Sequence, residues 1–566
     1  MGLNATLAMA SRSLQVFSTG IEVAGQNIAN AGTPGYIREE LLLEPNFPYS
    51  DGQLVFGTGV RALGIQQQID VFLETRVHTA NSDASAAAAR DSIFRQLQSE
   101  IGELGDSDIS TAVNDFLATL NDLANQPESA ALREVVVREG QQLASELSLL
   151  RANLDELRQA QTVKVDTLVS ESNRLITQIE ELNLEITRAE SAGLSISDAG
   201  ALRSQRYQAL NRLSEIIPIE YRENDNGSID LFSGDSYVIL TGQSQRLKSV
   251  PRSAGTVIVQ DVVFTKTESP VSLAGGELAG VLDGRDNVIG GFINDLDQFA
   301  SSLIFEFNRI HASGESQKGF TDVTALSAVD NSNSVLNNAG LNFAPTDGRF
   351  LVKVANTLTG LTDTTNIRVD LDGIDPGNDT TLESLRQDLD AVSNLNAVIT
   401  PDGRLQLTTD AGFEVRFSED TSGALASLGI NTFFTGTDSD DIGVNSIVLN
   451  DSAFIASGQG GGPGDNRNLL LLAQFLDNPQ QSLNGQSLDG FYNTAISRVA
   501  QSAAAESAVA NGYAAFRDSL LNQRSQFSGV SLDEEAVHII EFQQSFQAAA
   551  RLIRVIDELY DVLLNI

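Results

Sequence analysis

Residues able to do chemistry are few in this chain, and they are scattered. There is no cysteine, which excludes disulfides, thiol nucleophiles and zinc–thiolate sites. The histidines His78, His311 and His538 stand far apart and never form an HExxH pair, so a metal-dependent hydrolase has little to build on. They are expected on polar helix faces. Two acidic clusters, Asp370, Asp372 and Asp375, and Asp438, Asp440 and Asp441, offer the oxygen ligands that Ca²⁺ takes. Neither has EF-hand spacing, and a chain with 75 acidic residues makes such clusters by composition, so both read as solvated turns. Gly458 to Gly464 is glycine-rich, but no Gly-Lys-Ser/Thr follows to make a phosphate loop. With no nucleophile–base pair in view, the expectation is no enzyme, no cofactor and no metal.

The strongest pattern lies in the elements at the two ends. Leu7, Ala10, Leu14, Phe17, Ile21, Ala24, Ile28 and Ala31 repeat at alternating spacings of three and four, and so do Ile539, Phe542, Phe546, Ala549, Ile553, Ile556, Tyr560 and Leu563. Each run predicts a helix with a narrow apolar seam, the geometry of a coiled coil. Seams of equal length at opposite ends of a chain are natural partners. From Met1 to Tyr36 the only charged side chains are Arg12 and Glu22, whereas a solvent-facing helix carries charge on its outer face. The first helix is therefore expected to meet neighbours on more than one side. A lone pair of such helices is marginal, so the seams are read as a subunit interface, centred on Leu7, Leu14, Phe17, Ile21 and Ile28 and on Ile539, Phe542, Phe546, Ile553, Ile556, Tyr560 and Leu563.

Composition sets the remaining bounds. With 566 residues, several domains can each bury a core. A formal net charge of −39 repels nucleic acid and anionic lipid. The longest apolar stretch, Leu469 to Ala473, is too short to span a bilayer. The N-terminal segment lacks a basic n-region, so export through a cleaved signal peptide is not expected.

Periodicity and turn signals predict an α+β multidomain fold with helix outside and β inside. Long helices are expected over 71–102 and 129–192, with a weak spot where Gln161 and Lys164 occupy seam positions. The predicted partition has a terminal coiled-coil domain, 1–65 with 528–566. A helical domain is built from 66–217, 285–320 and 441–527. A β-rich domain covers 218–284, and an outermost α+β insert covers 330–440. Asp533, Glu534 and Glu535 follow Ser531, where acids favour the start of the last helix.

Two segments carry a resemblance. Gly25-Gln26-Asn27-Ile28-Ala29-Asn30-Ala31-Gly32-Thr33-Pro34-Gly35-Tyr36 resembles the N-terminal signature of the bacterial flagellar rod, hook and hook-associated proteins, with Asn27, Asn30, Thr33, Gly35 and Tyr36 at its positions. Ser528 to Glu535, including Leu532 and Asp533, followed by Phe542-Gln543-Gln544-Ser545-Phe546, is similar to the C-terminal end of the family's hook–filament junction members. Gly275 to Asp283 is similar to an internal segment of those members. The stretch 350–436 resembles, more weakly, an insert of some flagellins and hook-associated proteins.

The resemblance implies a structural subunit of the flagellum, needed for filament assembly, that forms a ring layer of identical copies between the hook and hook-associated protein 3. It implies export through the flagellar type III channel, a chaperone at the C-terminus, paired termini forming an inner tube, and outward-facing β domains. The implied partners are further copies of itself, the hook protein, hook-associated protein 3 and that chaperone, with no nucleic acid and no membrane insertion. Other axial proteins (hook protein, hook-associated protein 3 or flagellin) and an appendage adhesin are the alternatives. Thr-Pro-Gly-Tyr argues against flagellin and hook-associated protein 3, and Ser-Gly-Val-Ser-Leu-Asp-Glu-Glu argues against hook protein.

Overall fold

The computed structural model describes residues 2–33, 35–51, 54–102, 108–191, 197–255, 257–271, 273–374 and 378–564. Its helices are α1 (Leu3–Asn30), α2 (Val71–Ile101), α3 (Ile109–Asn125), α4 (Ala130–Ser191), α5 (Gly200–Ile216), α6 (Gly276–Asp283), α7 (Gly290–Ala312), α8 (Leu382–Asp390), α9 (Ala424–Leu428), α10 (Ser446–Asn450), α11 (Arg467–Gln474), α12 (Leu488–Ser528) and α13 (Leu532–Leu564). No helix of the described residues is long and apolar enough to cross a membrane. The multidomain α+β class expected from the sequence is the class observed. The chain divides into two compact units. One comprises Met1–Ile93, Gln159–Arg285 and Ala503–Ile566, the other Phe94–Arg158 and Asp286–Ser502.

In the first unit, α1 and α13 pair antiparallel, because Asn4 meets Tyr560, Gly20 meets Phe542 and Asn27 meets Glu535. After α1 the chain forms an antiparallel ribbon, Glu39–Pro45 against Val60–Gln67, with a register shift between Leu42 and Leu43. The Glu39–Pro45 strand is hidden in the sequence, since three adjacent leucines show no alternation. A four-stranded meander (Glu220–Glu223, Ile229–Ser233, Ser236–Leu240, Gln243–Ser244) and the hairpin Leu247–Ala254/Val257–Phe264 follow α5. Ile229, Leu231, Val238 and Ile239 of the meander share a core with Ile176 and Ile179 of α4 and Leu210 and Leu213 of α5. Leu520 of α12 packs on Leu73, Val77 and Ala80 of α2.

The second unit has an aromatic centre. Phe116 of α3, Phe307 of α7, Phe433, Phe434 and Phe475 lie with ring centroids 4.9–5.7 Å apart, in the tilted and edge-on arrangements aromatic pairs favour. Two three-stranded antiparallel sheets form the β part of this unit. One has the order Thr362–Val369, Gly348–Asn356, Phe413–Ser418; the other has Asp322–Thr324, Leu405–Thr409, Leu395–Ile399. Leu382, Leu385 and Leu389 of α8 enter the same core as Phe350, Val352, Leu405 and Val415.

The expected weak spot in α4 does not interrupt the helix, which is continuous from Ala130 to Ser191. Gln161 is buried, and Lys164 reaches Glu277 at 2.9 Å. A polar seam residue thus finds partners elsewhere in the fold.

Candidate functional site

The last turn of α1 and the first turn of α13 are joined by one polar network. Asn27 is almost fully buried. Its Nδ2 donates to Glu39 O at 2.8 Å and to Glu535 Oε2 at 3.1 Å. Its Oδ1 accepts from the Tyr36 hydroxyl at 2.9 Å and from the Glu39 N–H at 3.0 Å. Every hydrogen-bonding valence of the amide is therefore used, as a buried polar side chain requires. Arg38 Nε donates to Glu535 Oε1 at 2.7 Å, and a second guanidinium nitrogen lies 3.4 Å from Glu534. The Arg38 N–H donates to Ser528 O at 3.0 Å, the last residue of α12. Glu535 is buried, and such a charge persists only when paired and hydrogen-bonded.

Local sequence explains the turn. The Thr33 N–H donates to Asn30 O and the Tyr36 N–H to Thr33 O, closing the end of α1. Gly35 has a φ of +73°, and a Cβ there would stand 2.6 Å from Gln208 Cγ, so only glycine fits. Burial raises the Tyr36 hydroxyl pKa, with Glu39 and Glu535 adding to it, so the phenol stays a donor to Asn27. Burial also raises the Glu39 carboxyl, and Asp198 adds to this.

The motif residues separate into two groups. Asn27, Gly35 and Tyr36 belong to the network. Asn30 bonds back to Gln26 O, while Thr33, Leu532 and Asp533 are exposed and take no part in it. Spacing along the chain does not single out Arg38 and Glu535 as partners, because their meeting spans 497 residues, and that of Asn27 and Glu535 spans 508; Glu39, 12 residues from Asn27, joins through its backbone, which carries no side-chain signal. Glu535, read as an acid at a helix start, is chiefly the partner of Asn27 and Arg38. Pro34 lies outside the described residues.

The seam residues are arranged asymmetrically. On α1 the buried line is Val16, Gly20, Val23 and Asn27, with Ala10 and Ala24. Leu7, Leu14, Phe17, Ile21 and Ile28 flank that line and are half-buried. On α13, Ala549 and Ile556 are buried, and Ile539, Phe542, Ile553 and Tyr560 are half-buried. Phe546 and Leu563 are exposed, as are Val537, Ile540, Val555, Leu559 and Val562.

The candidate chemical groups find structural uses. His78 and His311 are buried rather than on polar faces, and His538 is half-buried beside Arg38. The carboxylates of Asp370 and Asp372 approach that of Asp379 within 4.8 Å, Asp370 pairs with Arg368, and Asp375 lies outside the described residues. Asp438 and Asp441 accept backbone N–H bonds within their own turn. The loop from Gly458 aims the N–H groups of Gln459 and Gly461 at the Asp465 carboxylate, at 2.7 and 2.8 Å. With Arg467 also on it, the Asp465 carboxyl is held well below the usual range, so the chain's own anion fills this nest.

A helix pair made from both ends of one chain, closed by a polar network and with apolar side chains exposed on α13, offers a surface for contact with another molecule. Residues 94–323 match the family described as the flagellar hook-associated protein FlgK helical domain, and residues 522–566 match the flagellar basal body rod FlgEFG protein C-terminal family. Flagellar hook-associated protein 1 of Escherichia coli K12 is 25% identical over 98% of both chains. The protein of the same name from Salmonella typhimurium LT2 is 24% identical over 98% of this chain and 99% of its own. That of Bacillus subtilis is 25% identical over 62% of this chain and 80% of its own. The solved flagellar hook junction protein FlgK from Burkholderia pseudomallei shares the fold, with a TM-score of 0.52 at 16% identity over 81% of this chain and all of that one. Over nearly its whole length this chain is similar to flagellar hook-associated protein 1, and both family models that match it are flagellar.

Proposed function

We propose that this protein forms the layer joining the flagellar hook to the filament, with α1 and α13 as the inner, subunit-contacting part. The observation that carries this reading is the apolar row on the paired ends. Val537, Ile540, Val555, Leu559 and Val562 are exposed on one side of α13, away from the side on which Phe542 meets Gly20 of α1. An apolar row of that length on a soluble chain calls for cover by another molecule. Further copies stacked around an axis supply it.

As a flagellar component the chain assembles with other axial proteins. On the finer reading its neighbours are the hook protein on one side and hook-associated protein 3 on the other, with a chaperone guarding α13 before export through the type III channel. The four-part division, with the terminal pair innermost and the 330–440 insert outermost, belongs to the same proposal. The role is mechanical and asks no catalysis of the chain.

Immunogold labelling of isolated flagella tests the reading. A single narrow band at the hook–filament boundary is the expected result. Label along the whole hook or filament would instead make the protein a bulk subunit.

A further inference from the structure

We infer that the turn 224–228, between the strands Glu220–Glu223 and Ile229–Ser233, is a site of self-modification, in which Asn226 closes onto the Gly227 nitrogen and becomes aspartate or isoaspartate. Three Asn-Gly pairs occur in the chain, at Asn226, Asn484 and Asn511. Glycine has no Cβ to hinder attack by its own backbone nitrogen, so the reaction is open at each of them. The fold treats the three differently. Asn511 lies inside α12, where a side chain leans toward the helix N-terminus and away from the following nitrogen. Asn484 is exposed in a left-handed turn with a φ of +56°, and among the described residues no hydrogen bond reaches its side chain. Asn226 is exposed too, but its amide is folded over the next peptide. Its Oδ1 accepts from the Ser228 N–H at 3.2 Å and from the Ser228 hydroxyl at 2.7 Å. Asn224 Nδ2 donates to that hydroxyl's oxygen at 3.3 Å and so orients it.

The two Ser228 donors stand where charge develops. Attack of the Gly227 nitrogen on Asn226 Cγ forms an N–C bond and moves the carbonyl electron pair onto Oδ1, where both hydrogen bonds stabilise it. The attacking nitrogen loses its proton to solvent base. The pair then returns, the Cγ–Nδ2 bond breaks, and Nδ2 takes a proton from solvent and leaves as ammonia. Water opens the resulting cyclic imide at either carbonyl, giving aspartate or, with the chain rerouted through the side chain, isoaspartate. Arg206 is fully buried and donates to Gly227 O at 2.6 Å, and a positive charge one peptide group away favours loss of the Gly227 proton. The Gly227 N–H donates to Asn224 O at 2.9 Å, so that bond opens first. Isoaspartate adds a backbone methylene and a carboxylate beside Gly227, where even a Cβ would stand 2.1 Å from Glu190 Oε2. The longer chain draws Gly227 O away from Arg206, whose same nitrogen holds Asn183 of α4 at 3.1 Å.

Peptide mapping by mass spectrometry tests the assignment on the full chain, held at mildly alkaline pH in water enriched in heavy oxygen, which labels each converted residue. In the folded chain Asn226 should convert faster than Asn484 and Asn511 by about tenfold or more, a modest share of what one oxyanion donor gives an enzyme. In urea, where the turn is lost, the three sites should convert within about threefold of one another. Ser228→Ala should slow Asn226 by about tenfold in the folded chain and leave its rate in urea unchanged. Equal rates at the three sites of the folded chain overturn the inference, and so does a folded Ser228→Ala chain that converts Asn226 at the natural rate. Should circular dichroism show that Ser228→Ala disturbs the fold, the comparison of the three sites within the natural chain decides alone.

Discussion

Gly20 of α1 lies against the ring of Phe542 of α13, so closely that a Cβ on Gly20 would stand 2.8 Å from two ring carbons. Nothing approaches within 4 Å of the same construction on Gly25, five residues on. Alanine at either position gains about 1 kcal/mol of helix propensity. Gly25→Ala should therefore raise the stability of the terminal pair by up to that amount, while Gly20→Ala should lower it by displacing the ring. Thermal melts of the two variants decide the matter, and equal stabilisation would remove Gly20 from the contact.

The uncovered side of the pair can be tested separately from its folding. Phe17 is half-buried and Phe546 is 36% exposed, so aspartate at 546 should cost the isolated chain less than an aspartate at a fully buried seam position. Buried between subunits, the same unpaired charge costs several-fold more. Cells carrying Phe17→Asp or Phe546→Asp should fail to attach filaments although the purified protein folds. Normal filaments would discard the interface assignment.

Acid should destabilise the second unit through His311. This fully buried ring sits between Asn431 O, 2.8 Å from Nδ1, and the Ala456 N–H, which donates to Nε2 at 3.0 Å. Those partners require a neutral imidazole with its proton on Nδ1. Burial lowers the pKa from 6.5 to about 4, with Arg133 adding to the effect against the Asn431 bond. The unfolded chain takes up the proton below pH 6.5 and the folded chain only near 4. Stability is thus complete above the first value and declines as pH falls toward the second, by about 3 kcal/mol over the whole window. Denaturant melts at pH 7.5 and 5 should show the loss, and His311→Gln should flatten that part of the slope. An unchanged slope in the variant would clear His311 of the effect.

Arg133 holds three chain segments together in the second unit. Its guanidinium donates to Pro127 O, to Ile455 O at 2.9 Å and to Ser457 Oγ at 2.8 Å, the last two out of solvent. Arg133→Met removes the guanidinium from Ile455 O and Ser457 Oγ, while Pro127 O keeps the Gln317 amide, and should cost about 1–3 kcal/mol. Calorimetry checks the loss; a change under about 0.5 kcal/mol, the size of an ordinary surface substitution, would show that water replaces the guanidinium.

Much of this protein could be read along the chain, because helices and seams are local patterns. The three–four spacing of Ile539, Phe542, Ala549, Ile553 and Ile556 shows α13, and the Asn27 to Tyr36 motif shows both where α1 ends and the family. The strand Glu39–Pro45 escaped because its pairing with Val60–Gln67, and not its own alternation, makes it a strand.

What the sequence determined by itself is the class of the molecule: apolar periodicity sets the two terminal helices, composition denies it thiol and zinc–thiolate chemistry, and two motifs mark the family. Tertiary structure alone decided which side of α1 is buried, why Gly20 must be small, and that Asn27, Arg38 and Glu535 form one network. Spacing along a helix says which residues share a face, but not which face a partner will cover. That choice belongs to contacts between residues hundreds apart, whose burial and hydrogen bonds exist only once the two ends have met.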